Sequence, residues 1–135
     1  MTEIFESPRK YQMSKESKFK KYEGTEVNFQ ISVANYLRLR GLEGKFHHSP
    51  NEGLMKPQYG AKRKAMGVSS GYPDIMIHVK NSNFNGFAIE LKVGRNILSP
   101  QQKEWLKCLE NANWKVLCSY SFDEVIYEVD QYLKF

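Results

Sequence analysis

Acidic residues are missing altogether from positions 54–73, a stretch that holds Lys56, Lys62, Arg63 and Lys64. Cysteine is scarce too. Cys108 and Cys118 have no framework spacing, which excludes a disulfide-stapled fold and leaves two free thiols expected in core elements. No apolar run is long enough to span a bilayer, and no signal-peptide pattern opens the chain, so a soluble cytoplasmic protein without a membrane partner is expected. A glycine-rich phosphate loop, zinc-finger spacing and internal repeats are absent, which removes P-loop nucleotide hydrolysis, finger modules and solenoids. His47 and His48 are adjacent, so a strand there turns them to opposite faces and excludes a paired zinc site.

What is present suffices for one small domain. The chain has 135 residues, 41% of them hydrophobic, enough for a modest core without staples. Its formal charge of +5 suits an acidic partner without naming one. Residues 1–22 carry six Lys or Arg against three Glu and read as a basic N-terminal arm, either a phosphate-touching element or a solvated tail. The folded domain is expected over 23–135.

Residues 67–92, GVSSGYPDIMIHVKNSNFNGFAIELK, organise the rest. Two alternating runs flank a polar turn, the pattern of paired strands. Ile75, Ile77 and Val79 share one face of the first run; Asp74, Met76 and His78 share the other. In the second, Phe87, Ile89, Leu91 and Val93 share a face, and Ala88, Glu90 and Lys92 take its reverse. A turn centred near Asn83 sets Asp74 opposite Lys92 and Met76 opposite Glu90. Two carboxylates and a lysine then converge. Carboxylate oxygens are the ligands Mg²⁺ prefers, and a bound Mg²⁺ stabilises a phosphoryl oxygen and activates water. Lysine supplies a mobile point charge beside them.

The flanking elements follow from caps and periodicity. Residues 25–40 read as a helix capped by Thr25, with Glu26, Gln30, Val33 and Leu37 on one stripe and Val27, Ile31 and Ala34 widening the apolar face. Glu26 serves either the helix start or the site. A short strand is expected around 46–48, with Asn51 and Glu52 in the turn after it. Ser99, with Pro100 and Gln102, makes a capping box for a helix whose inward face is Trp105, Leu106, Leu109 and Ala112. Gln102 is accounted for by the box, by the site, or by both. Trp114, Val116 and Cys118 alternate as a strand, and Ser121 with Glu124 forms a second box before a final helix. The basic stretch reads as a connector, and Lys62, Arg63 and Lys64 are its candidates for phosphate contact. Tyr72 is a candidate for stacking on unpaired bases, and Tyr59 either stacks or covers the core. The order implies an α/β fold, a mixed central sheet flanked by helices.

The ordered set G-Y-P-D at 71–74, E-L-K at 90–92 and S-P-Q-Q-K-E-W-L at 99–106 resembles the VRR-NUC branch of the PD-(D/E)XK nuclease superfamily, particularly its small stand-alone phage-type members. The resemblance runs from about Thr25 to Leu133. It implies a restriction-endonuclease-like core and a Mg²⁺ cofactor that Mn²⁺ can replace, with Asp74, Glu90 and the backbone carbonyl of Leu91 as ligands. It further implies that Glu26 joins the metal site, directly or through water, with Gln30 one turn on. Lys92 is then a catalytic residue, Gln102 lies close to the centre, and Asn51 and Glu52 line the phosphate path or form a turn. Lys64 matches the basic position before the glycine at Gly67.

The expected function is that of a metal-dependent DNA endonuclease. By resemblance it is a homodimer that cuts four-way (Holliday) junctions or other branched DNA, leaves a 5′-phosphate and a 3′-hydroxyl, and is phage-encoded in a bacterial host. The rivals are a non-catalytic nucleic-acid-binding protein with the same fold, which would bind and never cut, and a partner-docking module, which would do neither.

Overall fold

The computed structural model describes residues 18–49 and 59–135. Asn51, Glu52 and Lys56, and all of the basic arm up to residue 17, lie outside the described residues. The elements are α1 (Glu26–Leu39), β1 (Phe46–His48), α2 (Gly60–Ala65), β2 (Ile75–Ile77), β3 (Phe87–Leu91), α3 (Pro100–Asn111), β4 (Lys115–Ser119) and α4 (Phe122–Leu133).

Among the described residues the strands form a mixed sheet in the order β1-β2-β3-β4. The β1–β2 and β2–β3 pairs are antiparallel; β3 and β4 run parallel, joined by the α3 crossover. Helices cover both faces, so β3 and most of β4 are buried on both sides. On one face Ile75, Ile77, Phe87, Ile89, Leu91 and Leu117 pack against Phe29, Val33 and Leu37 of α1 and Val125, Val129 and Tyr132 of α4. On the other, Met76, Ala88, Val116 and Cys118 meet Leu106 and Leu109 of α3. Each such fully buried aliphatic or phenyl side chain contributes about 1.5–3 kcal/mol. No helix among the described residues is long and apolar enough to cross a membrane.

Several sequence expectations need correction. On α1 the buried stripe is Phe29, Val33 and Leu37, while Val27 and Ile31 are 67% and 51% exposed and do not widen the core face. The expected basic connector contains the short helix α2, which buries nothing. Cys118 is buried but Cys108 is exposed at the end of α3. Tyr59 is exposed and does not cover the core. The second capping box is only half made: Ser121 Oγ accepts from the Glu124 N–H, but the Glu124 carboxyl turns back to accept from Ser119 Oγ.

Candidate active site

The hairpin register decides which side chains meet. Ile75 pairs with Ile89, Met76 with Ala88 and Ile77 with Phe87. Continuing the ladder by one residue sets Asp74 directly opposite Glu90. The turn therefore centres near Ser82 rather than Asn83, which moves every partner by two residues. A shift of two preserves facing. Met76 and Glu90 are not opposite each other, yet Asp74, Glu90 and Lys92 still share a face.

Asp74 sits at the mouth of β2 and is held from both sides. The Leu91 N–H donates to Asp74 Oδ2 at 2.8 Å. The Asp74 carbonyl accepts from the Ser49 N–H at 3.0 Å and lies 2.9 Å from His48 Nδ1. Gly71 fixes the approach of this loop. Its φ is +86°, and a Cβ added there would lie 2.6 Å from the Gln101 carbonyl carbon. The turn therefore lies flat on the first turn of α3.

Glu90, in the middle of the sheet, is 2% exposed. Gln102 Nε2 donates to its Oε2 at 3.1 Å, and Lys92 Nζ stands 3.7 Å from the same oxygen. The capping box explains why Gln102 is aimed this way. The Ser99 N–H needs an acceptor and finds Gln102 Oε1 at 2.9 Å, while the Gln102 N–H donates to Ser99 Oγ at 3.1 Å. With its oxygen committed to the cap, the amide must turn its nitrogen to Glu90. The cap and the site are one device.

Electrostatics set this pair apart. Burial first, then the charge of Asp74, push the Glu90 carboxyl up to about 9, with Lys92 opposing. Glu26 is also raised, by burial and by Asp74, while Lys92 and His48 lower it. Behind the pair, burial and the Glu90 charge push the Cys118 thiol up to about 12, which makes it unreactive. The donor set fits a hard divalent cation: two apposed carboxylates hold more negative charge than their surroundings accommodate. Among the described residues no group of three or more His, Cys, Asp or Glu side chains is arranged to hold a metal ion. Mg²⁺ is commonly bound by only one or two carboxylates, with water and substrate phosphate completing the shell. Glu26, in the first turn of α1, is near enough for the charges of Asp74 and Lys92 to act on it.

The other sequence-selected residues are placed as follows. Gln30 follows Glu26 by one turn, and its Nε2 is buried without a hydrogen-bond partner among the described residues. Such an atom costs about 1–3 kcal/mol unless a ligand satisfies it. Lys62 and Lys64 are exposed on α2, with Arg63 half-buried between them. Tyr72, two residues before Asp74, packs edge-to-face on Trp105 of α3 with ring centroids 4.8 Å apart. Sequence reasoning passed over His48, Ser49 and Trp105 as neighbours of the site. The signal for the first two was the short strand, whose pairing with β2 sets His48 against Ile75. The signal for Trp105 was its place one turn after Gln102.

The raised Glu90 carboxyl gives a pH signature. Its folded-state value lies above the ordinary 4.5, so the stability it contributes is fully present below 4.5 and is lost as pH rises toward about 9. Metal-free protein should therefore melt at progressively lower temperature across this window relative to Glu90→Gln, which has no proton to lose. Adding Mg²⁺ should recover most stability at the alkaline end, where the pair is ionised. A wild-type minus variant difference in Tm that stays flat with pH would contradict the assignment.

With this geometry in place, the likeness to known proteins is specific. No curated protein matches the chain. Among solved structures, one titled "VRR_NUC domain protein" superposes with a TM-score of 0.72 at 31% identity, over 84% of this chain and 91% of that one. The family model for the VRR-NUC domain matches residues 21–123, from the approach to α1 through the start of α4. The range of the family model encloses the hairpin, the Gln102 cap and the sheet that joins them, and the chain belongs to the VRR-NUC family, a nuclease-type domain.

Proposed function

We propose that this protein is a metal-dependent DNA endonuclease that hydrolyses phosphodiester bonds, works as a homodimer and prefers branched DNA such as four-way junctions. The observation that carries the reading is the convergence of Asp74, Glu90 and Lys92 on one sheet face, with Gln102 fixed against Glu90. Asp74, Glu90 and the Leu91 carbonyl would hold Mg²⁺, or Mn²⁺ in its place, with Glu26 reaching it through water. When bound, the ion supplies Lewis-acid stabilisation of a phosphoryl oxygen and a more acidic water.

The chain's own groups do the rest. The Leu91 N–H and the Gln102 amide hold the two carboxylates in place, so little reorganisation is left for the reaction. The Lys92 ammonium, 11% exposed, stands where it can neutralise charge developing on the phosphate or orient the attacking water. Gln30 Nε2 offers a donor to a phosphate oxygen. Lys62, Arg63 and Lys64 track the backbone, and they carry no base code. A two-fold dimer presents two centres, which matches the two symmetric cuts a four-way junction requires.

A cleavage panel tests this: junction, flap, duplex and single strand of matched sequence, each with Mg²⁺, Mn²⁺ and EDTA, together with light scattering. The expected result is a dimer that cuts the junction faster than the duplex and stops in EDTA. Nucleic-acid affinity with no cleavage at either metal would instead establish the non-catalytic binding protein.

Replacing Lys62, Arg63 and Lys64 together by alanine should weaken DNA binding across all sequences. The slope of log K against log salt should flatten by about two to three, close to one for each phosphate that is no longer neutralised. An unchanged slope in a salt titration would return these three residues to ordinary solvated surface.

A further inference from the structure

Beside the carboxylate pair lies a cavity of about 370 Å³ lined by Ser49, Arg63, Gly67, Val68, Ser69, Tyr72 and Trp105. It falls within the size range of small-ligand sites, about 300–1,000 Å³. We propose that this cavity receives one nucleotide displaced from the duplex stack, its base against Tyr72 and Trp105 and its phosphate toward Arg63.

Three features point to this ligand. The first is position. Tyr72 is two residues from Asp74, Trp105 is one helical turn from Gln102, and Ser49 donates its N–H to the Asp74 carbonyl. Both aromatic walls are thus tethered to residues of the carboxylate site. The second is chemistry. Flat rings, a planar guanidinium and two hydroxyls suit a flat heteroaromatic ring attached to an anion, and a purely apolar ligand would have no use for the polar half. The third is geometry. The two rings stand 85° apart, so the ring that contributes its edge keeps its faces clear of that pairing. Tyr72 is 37% exposed, although it packs on the larger indole. A base stacks on any ring face without sequence preference, so the pocket reads whether a nucleotide is free of its stack. Leaving the stack costs least at a bulge or branch point. The inference rests on the nuclease reading for its DNA substrate, and it supplies that reading with a source of preference for distorted DNA.

The test uses a duplex with one unpaired nucleotide and the same duplex with an abasic residue at that position, which keeps the phosphate and removes the base. Binding is measured in EDTA with the full chain. The wild type should bind the base-bearing bulge at least about fivefold more tightly than the abasic one, the lower end of what stacking of a single base is worth. Tyr72→Ala should bring the ratio to one, Tyr72→Phe should preserve it, and Ser69→Trp, which fills the cavity and keeps both aromatic walls, should also abolish it. A wild-type ratio of one overturns the proposal, as does a ratio unchanged in both Tyr72→Ala and Ser69→Trp. Cleavage of the same two duplexes with Mg²⁺ separates the two readings. Cleavage with a ratio of one leaves the nuclease and removes the pocket. A preserved ratio with no cleavage at any divalent ion leaves a nucleotide-binding pocket and removes the nuclease.

Discussion

Asp74→Asn and Glu90→Gln should each lower cleavage by on the order of a thousandfold, about 4 kcal/mol of transition-state stabilisation, and leave the fold in place. Each keeps shape and removes one anionic ligand. The two variants should differ in stability, because their carboxyls are held differently. Glu90 is buried and its carboxyl is raised, so without metal the folded chain favours the neutral acid. Glutamine resembles that neutral form. Glu90→Gln should therefore melt at or above the wild-type temperature in EDTA, most clearly at alkaline pH. Asp74 accepts from the Leu91 N–H, and an Asn oxygen keeps that bond only as a weaker neutral one. Asp74→Asn should thus lose about 1 kcal/mol. DNA binding without metal should be tighter in Asp74→Asn, where less negative charge faces the phosphates, and unchanged in Glu90→Gln, whose carboxyl is already neutral without metal. Full Mg²⁺-dependent cleavage by either purified variant rejects the site.

That a sequence places these two carboxylates together follows from strand parity, and parity is the most robust signal a hairpin has. The expected turn centre was off by one residue, yet Asp74, Glu90 and Lys92 remained on one face because the resulting slip was of two. The exact partners were not legible. NSNFNG holds several turn residues, and the choice among them is made by tertiary bonds. Asn81 Oδ1 accepts from the N–H groups of Asn83 and Phe84, while Asn81 Nδ2 donates to the Tyr132 carbonyl of α4. A residue fifty positions away sets the register, and local composition carries no trace of it.

Helix α1 shows a second limit. Its apolar residues nearly encircle it, so periodicity permits more than one buried stripe. Phe29 is chosen because Tyr22 stacks on it at 4.5 Å, and the Tyr22 N–H is bonded to the Tyr120 carbonyl beyond β4. Val27 and Ile31 are left outside. Short α2 gave no signal because it has no side-chain cap and no buried residue. The dual role of Gln102 was half legible: S-P-Q-Q announces a capping box, but only the packing of α3 on the sheet shows that the same amide reaches Glu90. Trp105 is a similar case. Its helical position marks it as inward-facing, and only the folded chain brings Tyr72 against it from the loop before β2.

Gly71→Ala should have the largest effect of any single-methyl change at this site, through two separable costs. The first is conformational: a φ of +86° strains any residue with a Cβ, by about 1–3 kcal/mol. The second is steric. The added methyl would sit 2.6 Å from the Gln101 carbonyl carbon and 2.7 Å from the Gln102 nitrogen, both backbone atoms that cannot turn aside. Relief requires the loop and α3 to part. The loop carries Tyr72 and Asp74, and the helix carries Gln102 and Trp105, so parting them opens the site. Gly41→Ala is the matched control: its φ is +79°, but its Cβ would meet nothing within 4 Å, and it lies at the far end of α1. Gly41→Ala should cost about 1 kcal/mol and leave cleavage unchanged. Gly71→Ala should cost about 3 kcal/mol or more. Its cleavage rate, measured at a temperature where both variants are fully folded, should fall by about a hundredfold, the usual consequence of displacing catalytic groups by an ångström. Equal denaturation midpoints and equal rates for the two variants would show that the close approach at Gly71 plays no part in assembling the site.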